Sequence, residues 1–241
     1  MKPETTTTED LRHFSALLGG EPELLCAWVE GSGFRRLGLC SGVILAGAGL
    51  YGAAMGYWRA PLQALFVAVK FPLIIFLTTI GNAMLNATLA PLLGANISFR
   101  QSFFAIFVSF AIASAILASF SPLAAFMIWN VPLMSPNLQT SGATYSLIQL
   151  THVVAIAFAG VVANFRLAQL LRRLSGSVPA ARRVLVAWLA GNLFLGSQLS
   201  WIFRPFIGSP GLEVEFLRQT ALQGNFYETV FRSMLRLLNS D

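Results

Sequence analysis

Apolar and polar positions in this chain are arranged in blocks. Long uncharged apolar runs alternate with short polar or basic stretches. A helix needs about 20 apolar residues to cross the hydrocarbon of a bilayer. On that measure the blocks predict spans at 37–57, 72–93, 102–120, 144–165 and 184–203. Between Gln101 and Phe165 there is no Lys, Arg, Asp or Glu. That stretch is too long for one crossing, and Ser121, Pro122, Pro132, Pro136 and Gly142 supply breaks within it. It is therefore read as two spans joined by 122–143, with 123–129 dipping back into the membrane. Pro72 suits the first turn of the second span, and 61–70 before it reads as a short interfacial elbow. The expected fold class is all-α, a polytopic transmembrane helix bundle.

The flanks set the organisation. Residues 1–36 are expected to form a cytoplasmic segment with short amphipathic helices, and 37–203 the transmembrane domain. Residues 204–241 are expected to be an extracytoplasmic tail whose stretch 225–238 is an amphipathic helix. The polar start of the chain, with Glu4, Glu9 and Asp10, does not resemble a signal peptide, so targeting is expected to rest on the first span. The region 166–183 reads as a basic loop carrying Arg166, Arg172, Arg173, Arg182 and Arg183. Positive residues are retained in the cytoplasm during insertion. Arg35, Arg36, Arg100 and this loop therefore place the N-terminus inside and, after five crossings, the C-terminus outside.

Composition agrees with a membrane protein. Only 11% of residues are charged, against roughly 25% in soluble domains. The net charge of +6 would suggest nucleic acid in a soluble protein. Here the basic residues flank apolar runs, so the expected partners are the lipid bilayer and a membrane protein or a second copy, with no nucleic acid. The expected location is the cytoplasmic (inner) membrane of a bacterium, multi-pass. Cys26 and Cys40 fall in different environments and are not expected to pair.

Candidate chemistry is sparse. No ionisable residue falls inside the predicted spans, which argues against proton pumping and voltage sensing. Thr78, Asn82 and Asn86 recur every four residues and share one helix face, while Asn192 and Gln198 lie in the fifth span. Such groups either line a polar path or bond between helices. Gln149 and His152 form an i, i+3 pair in the fourth span; a metal site would need more ligands than these. Trp201 and Arg204 read as an anchor or docking point where the fifth span ends. The first span repeats small residues at Gly38, Gly42, Ala46, Gly49, Gly52, Ala53 and Gly56, a spacing that permits close helix approach. No nucleophile elbow, zinc motif or phosphate loop appears, so no catalytic residue, metal or cofactor is expected.

The stretch from Lys70-Phe-Pro-Leu-Ile-Ile-Phe-Leu-Thr to Leu-Leu-Gly-Ala-Asn-Ile-Ser-Phe-Arg-Gln, followed by a Ser- and Ala-rich span ending at Ser121-Pro122-Leu123, resembles the Yip-domain membrane proteins. The resemblance covers about 60–200 and includes a Leu-Gly-x-x-x-Ser link at 93–98. It implies a non-enzymatic five-span bundle that organises membranes or partner proteins. The Asp- and Tyr-containing motif of eukaryotic members is missing, so their trafficking role is not carried over. Two readings follow: a scaffold or partner-binding component of a membrane assembly, or a small channel or transporter subunit for an ion or neutral solute.

Overall fold

A computed structural model describes residues 15, 28–29, 33–131, 138–208 and 213–228. Among these residues, five helices are long and apolar enough to cross a membrane. They are α1 (Phe34–Tyr57), α2 (Pro61–Leu92), α3 (Phe99–Asn130), α4 (Leu138–Ser175) and α5 (Val178–Phe203). In hydrocarbon the backbone must satisfy itself, and a helix does so within one segment. The protein is thus an all-helical integral membrane bundle, as its apolar blocks predict.

The helices form a ring, each packed on the next: α2 on α3, α3 on α4, α4 on α5 and α5 back on α2. The first helix lies against α2 and α3. One end of the bundle carries Arg35, Arg36, Arg100, Arg172, Arg173, Arg182 and Arg183, and is called the arginine end below. At the other, the tail end, α1 turns into α2 and the chain leaves α5.

Contact between α1 and α2 depends on glycine. A Cβ on Gly52 would sit 2.6 Å from the Val67 carbonyl oxygen, and one on Gly56 would sit 2.6 Å from that of Gln63. Gly47 packs in the same way on the Ser114 backbone of α3. The small-residue spacing therefore serves contacts within the chain. Gly38 and Gly42 have nothing within 4 Å of such a Cβ.

Several boundaries differ from expectation, for one physical reason. Polarity marks where hydrocarbon ends, whereas a helix ends only where its backbone pattern is broken. The elbow at 61–70 is the start of α2, which places Pro72 in the helix interior. Residues 123–130 continue α3 past Pro122 instead of dipping back or forming the connection. The basic loop is two helix ends separated by Gly176 and Ser177, with Gly176 at φ +62°. Leu, Gln, Ala and Arg in 167–173 are good helix formers whatever their polarity. As a result Lys70 and Arg166 lie on the same helices as the predicted spans 72–93 and 144–165, just outside those charge-free stretches.

The 93–98 link is a helix stop followed by a helix start. Gly94, at φ +82°, bonds to the Pro91 carbonyl and Ala95 to the Ala90 carbonyl, closing α2. Ser98 and Gln101 then cap α3 reciprocally. Replacing Gly52 with Val should destabilise the bundle by about 1–3 kcal/mol through overpacking. Gly38→Ala should change stability little; thermal unfolding of both variants in mild detergent checks this.

Candidate functional site

The polar face of α2 lies inside the ring. Asn82 and Asn86 are fully buried and Thr78 nearly so. The Asn82 amide donates to Asn192 Oδ1 on α5 at 2.5 Å and lies 3.3 Å from the Trp188 carbonyl oxygen, while Asn86 donates to Asn82 Oδ1 at 2.8 Å. Gly191 gives Asn82 the room to approach, since a Cβ there would collide with Asn82 Oδ1. The predicted residues Asn82, Asn86 and Asn192 are thus brought together as one seam joining α2 to α5. Thr78 Oγ1 and Asn86 Oδ1 are buried without a hydrogen-bond partner among the described residues.

Gln149 and His152 do not act as a pair. Gln149 is exposed, whereas His152 is buried and its Nδ1 lies 2.8 Å from the Tyr51 hydroxyl of α1. Tyr51 sits on the face of α1 turned into the bundle, and its hydroxyl finds an imidazole there because a buried phenol needs a partner. Among the described residues, no three His, Cys, Asp or Glu side chains group as a metal site would require.

Sequence reasoning missed the strongest polar contacts of the tail end. Gln63 and Lys70, seven residues apart on α2, are both fully buried. Gln63 donates to the Pro205 and Phe206 carbonyls at 2.9 and 3.0 Å. Lys70 Nζ lies 3.2 Å from the Pro205 carbonyl and 3.4 Å from that of Glu215, with the Phe66 and Phe216 rings beside it. The i, i+7 spacing of two polar residues in an otherwise apolar stretch was the available signal.

Depth follows from helix register. Gly81 packs on Leu195, and Asn82 meets Trp188 and Asn192. Counting along both helices at an equal rise brings Arg204 level with about residue 70 of α2. Lys70 therefore sits level with the end of α5. Arg204 stacks over the Trp201 ring at 3.5 Å and donates to the Trp201 carbonyl. Burial first, and the charge of Arg218 second, pull the Arg204 guanidinium below the usual arginine value.

The tail does not run straight into water. Tyr227 stacks on Phe194, its hydroxyl lies 2.8 Å from Ser197 Oγ, and the Phe226 amide donates to Gln198 Oε1 at 3.4 Å. Gln198, predicted as part of the polar stripe, thus serves the returning tail instead. An apolar hollow of about 420 Å³ opens at the same end between Leu50, Ala54, Ala64, Pro122, Ile128 and Trp129.

No known protein family, curated protein or solved structure matches the chain.

Asn82→Leu should cost about 1–3 kcal/mol by stranding Asn86 and Asn192, while Gln149→Leu at an exposed position should be near neutral. Unfolding in detergent separates the two. Lys70→Met combined with Gln63→Leu should free the tail, and faster tryptic cleavage after Arg218 than in the unaltered protein would report it.

Proposed function

We propose that this protein is a non-enzymatic component of a membrane assembly, which binds a partner or a second copy of itself along α5. One observation carries this reading. Only 6% of the most apolar stretch of α5 is buried within the chain, against 56% for α3. Leu193 is largely exposed and Gly196 has open space where a Cβ would point, while Tyr227 of the returning tail covers part of Phe194. Small residues flanked by large apolar ones suit close packing of a further helix. The bonded Asn82–Asn86–Asn192 seam supports the same reading, because its amides hold helices together. The Yip-like resemblance points the same way, toward organising membranes or partners and away from catalysis.

A second reading rests on a different observation. Buried Thr78 Oγ1 and Asn86 Oδ1 lack partners, as they would if they faced a polar path for an ion or neutral solute. Under either reading the arginine end faces the cytoplasm of a bacterial inner membrane. Its described segments carry arginines without acids, whereas the tail end mixes Arg59, Lys70, Arg204 and Arg218 with Glu213, Glu215 and Glu228.

Cysteine at Gly196 should give a discrete cross-linked adduct in native membranes, and cysteine at Leu65 on α2 should give none. Liposomes containing the protein should show no solute flux. Flux that Asn82→Leu and Asn86→Leu abolish, without an adduct at position 196, would favour the second reading and sink the first.

A further inference from the structure

Lys70 presents an unfinished electrostatic arrangement. Its ammonium is fully buried, and its bonded partners, the Pro205 and Glu215 carbonyls, are neutral. A buried charge ordinarily needs an opposite one. Among the described residues no carboxylate lies within ion-pair distance of Lys70, Arg204 or Arg218. Instead two arginines lie near Lys70, on a tail that also carries Glu213 and Glu215. Arg204 is next in sequence to Pro205, and Arg218 follows two residues after Phe216, the ring beside Lys70 Nζ. Lys70 Nζ reaches the carbonyls of Pro205, next to Arg204, and of Glu215, three residues before Arg218, so the chain brings both arginines near it. Arg204 and Arg218 are partly exposed, so an anion can reach them from outside.

Depth and surroundings identify the anion. The cluster lies level with the end of α5, a membrane-crossing helix, and so near the lipid head groups. Exposed Leu217 and Leu222 flank Arg218, and the Trp201 ring underlies Arg204. Cations rimmed by exposed apolar side chains suit a phosphate that carries acyl chains better than a free ion. We propose that Arg204 and Arg218, seated over buried Lys70, bind the phosphate of an anionic phospholipid and thereby fix the tail against α2. Lys70 supplies charge from below, and the arginines make the direct contacts.

The full chain, purified in an uncharged detergent, should retain phosphatidylglycerol in native mass spectrometry and gain thermal stability when it is added. Arg204→Gln and Arg218→Gln should each reduce retention about tenfold, equivalent to roughly 1.4 kcal/mol. Arg218 has no bonded side-chain contact among the described residues, so Arg218→Gln should fold even if Arg204→Gln does not. Equal stabilisation by phosphatidylcholine would overturn the proposal, as would unchanged retention in Arg218→Gln. Equal protection by millimolar inorganic phosphate would also overturn it, by showing an anion site without lipid preference.

Discussion

A polar group in hydrocarbon has no water to bond, so it must find its partner inside the protein or pay the full cost of desolvation. Much of this bundle follows from that constraint. Polar side chains on the spans commonly bond back to their own helix: Thr79 to Ile75, Ser121 to Leu117, Thr151 to Leu147 and Asn164 to Gly160. Those that reach further join helices, as Asn82 does with α5, Tyr51 with α4, and Ser109 with the Ala163 carbonyl. Pro72 within α2 is buried against α1 near Gly49, so a neighbouring helix encloses the weakened turn. The glycines of α1 let backbones meet at distances that no larger side chain permits, so dispersion and packing hold helices that the hydrophobic effect alone would not.

The span count was legible because hydrocarbon thickness is a composition signal, and each of 37–57, 72–93, 102–120, 144–165 and 184–203 falls within one of the helices, save that Leu93 is the residue capping α2. Helix ends were not legible from the same signal. Residues 166–175 are helical beyond the apolar core, since residues with good helical propensity continue a helix whatever their polarity, and 61–71, mostly apolar itself, continues α2 in the other direction. At 93–98, by contrast, the boundary is written in local chemistry, Gly94 ending α2 and Ser98 starting α3. The candidate site was partly legible. A period of four put Thr78, Asn82 and Asn86 on one face, and placed Asn192 and Gln198 in the same span, but nothing local shows that Asn192 bonds Asn82 while Gln198 bonds the tail. Contacts across more than 100 residues depend on which helices neighbour each other, and the sequence pattern does not carry that information.

The helices also differ in length in a way that matters. With 32 residues, α2 is about 48 Å long, well beyond a hydrocarbon layer of about 30 Å. Its surplus at the tail end is the stretch that carries Gln63, Phe66 and Lys70. This overhang gives the chain leaving α5 a surface to fold upon. Pro205, Phe206, Glu215 and Phe216 all meet it, and it bonds carbonyls of the chain that follows α5.

That arrangement explains why a lysine occupies position 70. An apolar residue there would fill the space between the Phe66 and Phe216 rings, but it would leave the Glu215 carbonyl without its Lys70 donor and the Pro205 carbonyl with Gln63 alone. Glutamine has only two N–H groups and a shorter stem, and it brings an acceptor that would itself need a partner. Lysine is long enough to reach both carbonyls and brings donors only. Its cost is a charge in a dry place, which the neutral carbonyls and ring faces reduce but do not cancel. Bringing the tail's Arg218 toward Lys70 adds a like charge, which makes little sense for stability alone. It does make sense if the cluster meets an anion at the membrane surface, because a cluster of cations can then offset its repulsion only where lipid phosphate is present, and the fold of the tail becomes coupled to the bilayer around it.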